Sequence, residues 1–311
     1  MPSPARALVR AMPWLFVLIW STGFIAARLA MPHAPAFGFL SLRFALSAAC
    51  FAVWMRVARI DWPADRRQRL HLVVTGALMQ AGYLGGVWAA VQAGIGAGTV
   101  ALIVGLQPVL TAFWIAATTA EGGQPSAPIS MRQWLGLALG LAGLALVVWR
   151  KLGIGEVHAG NLSLALTALA AITIGTLYQK RFVAPCDVRA ASAVQMLAAL
   201  ALVLPLTLLE TTPFVWSGEL AFALVWSVGV LTLGGSSLLY LLIQRGETTA
   251  VTSLLYLVPP CTAAFAWLLF AETFTAPMLA GMMLIVAGVA LVQRGATATR
   301  AAANPIAGVA P

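Results

Sequence analysis

Stretches of roughly twenty apolar residues recur down the chain, separated by short connections that carry nearly all of its charge. A stretch of that length, wound as a helix, crosses about 30 Å of hydrocarbon. The pattern predicts helices over 13–31, 36–55, 72–91, 98–119, 134–149, 161–180, 190–209, 220–243, 249–270 and 277–293. The connections leave no room for a water-soluble domain. The expected fold class is an all-α membrane protein with ten transmembrane helices. Arg6 and Arg10 precede the first stretch much as charges precede a signal peptide, but the run is long for one. It is read as the first helix.

Composition removes the soluble alternatives. Of 311 residues, 61% are apolar and 9% charged, too few charges to cover a soluble surface. The net charge of +9 then reads as topology, not as a nucleic-acid footprint. With a cytoplasmic N-terminus, the inner segments hold Arg6, Arg10, Arg56, Arg59, Arg66, Arg67, Arg69, Arg132, Lys180, Arg181, Arg189, Arg245, Arg294 and Arg300. Only Arg28, Arg43, Arg150 and Lys151 fall on or towards the outside. Positive charge concentrates inside, which puts both termini in the cytoplasm. The basic residues are sixteen Arg and two Lys, with abundant Ala, which suits a GC-rich bacterial genome and hence a bacterial inner membrane. Cys50, Cys186 and Cys261 share no metal-ligand or redox spacing, and no metal or cofactor is expected.

The chain also repeats itself. At an offset of 152, Gly23 falls on Gly175, Arg28 on Lys180, Gly82 on Gly234, Gln92 on Gln244, Pro108 on Pro260 and Phe113 on Phe265. After a shorter loop in the second copy, Gly136 meets Gly281 and Gly143 meets Gly288. Each copy holds five helices, an odd number, so the second must enter the membrane the other way up. The expected architecture is two inverted five-helix repeats around a central cavity, an arrangement that secondary transporters use. The divisions are a cytoplasmic N-terminus (1–12), a first repeat (13–150), a second (161–294) and a flexible cytoplasmic C-terminus (295–311). Pro108 and the Pro259–Pro260 pair occupy matching places in the fourth helix of each copy. A proline there removes a backbone N–H and strands a carbonyl that lipid cannot satisfy, so the kink must face protein or a watery cavity. They are candidate hinge or gating residues.

Both copies place a glutamate just past the proline-bearing helix: "LQPVLTAFWIAATTAE" ends on Glu121 and "VPPCTAAFAWLLFAE" on Glu272. Together with "IWSTGF", Arg28 and the "LRFAL" that holds Arg43, these stretches resemble ten-helix EamA-type members of the drug/metabolite transporter superfamily, over residues 13 to 293. The resemblance implies two EamA-like repeats and export or facilitated movement of small metabolites, commonly amino acids. Exporters of aromatic and other neutral amino acids are the subgroup it points to.

All nine acidic residues (Asp61, Asp65, Glu121, Glu156, Asp187, Glu210, Glu219, Glu247, Glu272) and the three histidines (His33, His71, His158) fall in loops or at helix ends. Proton-coupled pumps need a titratable group within the bilayer, so a facilitator driven by the substrate's own gradient is expected. Cationic drugs are unfavoured, because the first helix lacks the carboxylate of the distantly related small multidrug pumps. Arg43 is the one charge well inside a span, roughly 10 Å from its outer end at 1.5 Å per residue. Two readings stand: a cavity cation that meets a substrate carboxylate or fixes a gate, or a side chain that snorkels to the head groups. Other cavity candidates lie on helix faces: Trp20 and Thr22; Gln80, Tyr83 and Trp88; Gln107 and Thr111; Thr173; Thr232, Ser236 and Tyr240; and Tyr256. Aromatic walls with a few hydroxyl and amide groups suit neutral, partly apolar solutes. Against this, Ser and Thr often bond their own helix, and Trp14, Trp54, Trp134 and Trp149 at span ends read as an interfacial belt. Gly136, Gly140 and Gly143, with Gly281 and Gly288, suit close packing, as scaffold or as a dimer contact. Glu121 and Glu272 are expected to bond helix ends.

The leading reading is a transporter, with a small-molecule substrate and the bilayer as partners, no nucleic acid, and a monomer or weak homodimer. A lipid or lipid-linked-sugar flippase of the same superfamily is the alternative. A membrane enzyme is the third class, but there is no HExxH, intramembrane Asp pair or Ser–Lys dyad.

Overall fold

The structure is a computed structural model describing residues 4–118, 131–153, 155–235, 238, 257–272 and 275–303. Every regular element among them is helical. Five helices are long and apolar enough to cross a membrane: α2 (Ala36–Val57), α3 (Arg66–Gln92), α6 (Met131–Gly153), α7 (Ala159–Phe182) and α8 (Val188–Leu209). The shorter apolar segments belong to α1 (Pro4–Ala30), α4 (Ala97–Val104), α5 (Gln107–Thr118), α9 (Gly218–Gly234), α10 (Val258–Phe270) and α11 (Ala276–Ala303).

Several boundaries differ from the expected spans, for physical reasons. α1 starts at Pro4 and α3 at Arg66, each well before the apolar run begins. The Asp65 side chain accepts from the Arg67 and Gln68 amides, an N-cap that starts α3 among charges able to stand clear of lipid. α11 continues to Ala303, so the C-terminal segment expected to be flexible from 295 is helical over its first part.

The fourth expected helix is two helices. α4 ends at Val104, Gly105 and Leu106 form a turn, and α5 begins at Gln107. Pro108 therefore occupies the first turn of α5, where its missing N–H goes unneeded, and does not kink a continuous helix. Pro259 and Pro260 likewise sit in the first turn of α10. The two proline sites meet, since a Cβ on Gly105 would lie 2.7 Å from Pro259 Cγ.

α3 and α9 each contain a π-helical stretch, Ala77–Gly82 and Trp226–Gly234. Their last residues, Gly82 and Gly234, are related by the 152 offset. Periodicity does not reveal such turns, because one extra residue barely disturbs an apolar pattern.

Glycines govern the approach of α6 to α11. A Cβ on Gly136 would stand 2.6 Å from Gly288 O, and one on Gly143 2.5 Å from Gly281 O. Low residues of one helix face high residues of the other, so the two run antiparallel. Their glycine seam is a contact within one chain.

Polar side chains cluster at the two ends of the bundle. At one end Glu210 accepts from the Phe37 and Gly38 amides at the start of α2, at 2.9 and 2.8 Å, and Gln92 accepts from Ala36 N. Glu272 accepts from Ala97 N and Glu156 from Gly96 N at the start of α4. Lys151 pairs with Glu156, and His33 lies 2.7 Å from Glu219. Carboxylates on free amides at helix N-termini offset orphan donors and the helix dipole. The bonding role expected for Glu272 is found; Glu121 lies outside the described residues. At the other end Gln68 bonds Ala184, His71 Nδ1 stands 2.8 Å from the Tyr178 hydroxyl, and Asp187 caps α8.

Hydrogen bonding to the Arg189 side chain holds the Asp187 carboxyl below the usual carboxylate range. A depressed folded value means the cap contributes fully above the unfolded value of about 3.9 and is lost as pH falls through the lower folded value. Asp187→Ala is expected to cost about 0.5–2 kcal/mol of stability at neutral pH. Chemical unfolding in detergent checks this, and an unchanged midpoint refutes the cap.

Candidate functional site

The two π stretches turn toward a common space. A cavity of about 110 Å³ lies between α1, α2, α3, α7, α8 and α9, lined by Trp20, Gly23, Phe24, Arg43, Met79, Gln80, Tyr83, Leu84, Val87, Trp88, Ile172, Met196, Leu231 and Thr232. One water needs only about 10–15 Å³ on this scale, so the space admits several waters or a small solute. Met79 and Gln80 come from the first π stretch, Leu231 and Thr232 from the second. In the second, Thr232 Oγ1 donates to the Ser227 carbonyl five residues back, at 2.8 Å. π turns of this kind cluster at functional sites, where the extra residue turns a side chain out of the regular ladder.

The 152 offset also runs through the lining. Trp20 and Ile172, Met79 and Leu231, and Gln80 and Thr232 are three such pairs, all facing the same space.

Arg43 is the cavity's charge. It is 7% exposed, and its Nη2 donates to Thr232 Oγ1 at 3.3 Å. Its Cζ stands 5.9 Å from the centroid of the Trp88 ring, which stacks on Phe39 with centroids 4.4 Å apart. Nε is buried with no hydrogen-bond partner among the described residues. Of the two readings left open by the sequence, the side chain turns inward and does not snorkel. No described residue lining the cavity is acidic. The arrangement offers an aromatic, mostly apolar chamber with one guanidinium donor free and one amide, Gln80, beside it.

Six of the candidates picked from the sequence, Trp20, Arg43, Gln80, Tyr83, Trp88 and Thr232, line this cavity. Four others do not. Thr22 donates to Ile19 O and accepts from Trp226 Nε1, and Thr173 donates to Leu169 O in its own helix. Gln107 bonds the Thr176 hydroxyl, tying α5 to α7. The Thr111 hydroxyl is buried away from the chamber with no partner among the described residues. For Thr22, Thr173 and Gln107 a nearby carbonyl or side chain takes up the polar group, a competition that helical spacing does not reveal. Ser236, Tyr240 and Tyr256 lie outside the described residues. Sequence reasoning missed the apolar lining, Gly23, Phe24, Met79, Leu84, Val87, Ile172, Met196 and Leu231. The offset held a signal for one of these, since Ile172 is the mate of Trp20.

Known proteins resemble this chain over most of its length. The chain is 26% identical over 284 residues to the "Probable amino-acid metabolite efflux pump" of Salmonella typhimurium, covering 88% of this chain and 91% of the relative. It is 25% identical over 306 residues to the "Uncharacterized transporter YvbV" of Bacillus subtilis, covering 97% and 96%. A protein of known crystal structure shares the fold with a TM-score of 0.62 at 18% identity, over 91% of this chain and 96% of that one. The model of the EamA-like transporter family matches residues 12–149 and again 160–294. The chain belongs to the EamA-like transporter family.

Proposed function

We propose that this multi-pass membrane transporter carries small metabolites that combine a carboxylate with an apolar or aromatic group, the neutral and aromatic amino acids among them. The observation that carries the reading is the buried guanidinium of Arg43, with a free Nε, in an aromatic chamber that contains no described carboxylate. A substrate carboxylate supplies the acceptor that Arg43 lacks, while Trp20, Tyr83 and Trp88 form walls for an apolar side chain. The name of the Salmonella relative, a probable amino-acid metabolite efflux pump, agrees with this class.

Alternating access at the cavity, between two inverted five-helix copies with both termini cytoplasmic, is the mechanism we favour. Three observations support it. Three mated pairs from the two copies face the cavity. The mates α6 and α11 run antiparallel, as inverted copies require. The break at Gly105 and Leu106 lies against Pro259 in the first turn of α10, and bending costs least where the backbone ladder is interrupted.

The test is entry of a labelled amino-acid panel into liposomes holding the purified protein, with no ion gradient. Saturable entry of neutral or aromatic members is expected. Gln80→Ala and Tyr83→Ala are expected to raise the KM about tenfold each, the worth of one lost hydrogen bond to a charged group. Entry that waits for a proton or sodium gradient refutes the uncoupled mechanism. Binding of a long-chain lipid in place of these solutes shifts the assignment to a flippase.

A further inference from the structure

The charge inventory of the cavity goes further than its shape. Resting on the reading of this chamber as the transport site, we infer that its preferred cargo is a net monoanion, an apolar or aromatic carboxylate without a charged amine, and that the membrane potential drives its movement.

Arg43 is buried, and no lining carboxylate balances it among the described residues. A monoanion brings the occupied chamber to zero net charge. A zwitterionic amino acid leaves it at plus one and adds an ammonium that must itself be solvated, which a buried site does poorly. The open acceptors for that ammonium are the Gln80 amide and Tyr83 hydroxyl oxygens, in the same chamber as the Arg43 cation. Thr232 already donates to Ser227 O and accepts from Arg43, and the Trp88 ring already carries the guanidinium. Neighbouring charges do not alter the balance. Glu210 lies above Arg43 on the α2 start, but both of its oxygens accept amides there, against the positive end of the helix. Lys151 with Glu156, and His33 with Glu219, are paired between themselves. Glu121 and Glu247 lie outside the described residues, at positions the sequence assigns to helix ends.

A carrier that moves a monoanion alone moves one negative charge per cycle, and an inside-negative potential drives that charge outward. Export then needs no proton-binding carboxylate within the membrane.

The experiment uses the full chain in liposomes with potassium gradients and valinomycin, and labelled phenylpyruvate, phenylalanine and phenethylamine as probes. A tenfold potassium gradient sets about 59 mV. Phenylpyruvate accumulation is expected to shift about tenfold in the direction that follows negative charge, while phenylalanine levels out at a ratio near one. In competition for binding, phenylpyruvate should act at about tenfold lower concentration than phenylalanine, with phenethylamine inert. Arg43→Gln is expected to erase the preference and Arg43→Lys to retain it; the potential measurement on the unaltered chain needs neither variant. Phenylalanine carried at least as well as phenylpyruvate, or accumulation of phenylpyruvate that ignores the potential, overturns the inference and leaves the transporter reading standing. A helical, monodisperse protein that neither binds nor moves any of the three overturns both.

Discussion

Trp88→Ala is expected to destabilise the protein by about 3 kcal/mol or more and to abolish transport. The ring is 1% exposed, stacks on Phe39 and lies beneath the guanidinium of Arg43. Truncating a buried Trp elsewhere costs about 3–5 kcal/mol, part for transfer and part for the void. In a bilayer the transfer part shrinks, because lipid is as apolar as the protein interior, whereas the void and its lost contacts remain. The figure belongs at the low end for that reason. Transport suffers separately, since Arg43 loses the surface that holds it inward. Trp88→Phe keeps a ring in place and should recover most of the stability. Unfolding in dodecylmaltoside, followed by circular dichroism beside the liposome assay, reads both effects. A Trp88→Ala protein that unfolds like the parent would show that the ring carries no packing load, and the cavity wall as described would be wrong.

The second large effect is at the glycine seam. Gly143→Val should force α6 and α11 apart, because the new Cβ would lie 2.5 Å from a backbone oxygen, Gly281 O, and 2.9 Å from Leu284 Cβ. Side-chain ends can move out of the way cheaply; a helix backbone cannot. Overpacking a tight core commonly costs about 1–3 kcal/mol, and a backbone clash belongs at or beyond the top of that range. Gly281→Val meets the same seam from its other side, with Val147 Cγ2 at 2.5 Å and Gly143 O at 2.8 Å. The two single variants should therefore be alike, and the double variant well short of additive, since the first already opens the seam. Thermal unfolding of the four proteins in one detergent decides it. Full additivity would mean that the two glycines do not share a contact.

The parts of this protein legible in its sequence are those that a one-dimensional pattern encodes. Helix existence follows from apolar length, since backbone groups in lipid must bond within their own segment. The 152 offset is likewise written in the chain, and it places Gln80 with Thr232 before any coordinates exist. Arg43 stood out because a charge within an apolar span is rare. Helix ends are less legible. Arg66, Arg67 and Arg69 look like loop and hide the start of α3, although Asp65 holds the signal of an N-cap.

What the tertiary structure alone decided is which polar groups are left over. Gln107 has the same side-chain chemistry as Gln80, and Thr22 and Thr173 likewise lie on inward helix faces, yet these three spend their hydrogen bonds on Thr176, Trp226 and Leu169. Such competition is settled by neighbours that are distant in sequence, so spacing along one helix is blind to it. The same holds for Arg43, where the sequence left snorkelling and burial open. Packing against Trp88 and the reach to Thr232, 189 residues away, turn it inward. The sequence by itself determined the helices, the repeat and the rare charge within an apolar span, because each is written along a single segment. The site is a property of surfaces brought together, and only the folded chain selects which side chains remain free to meet a solute.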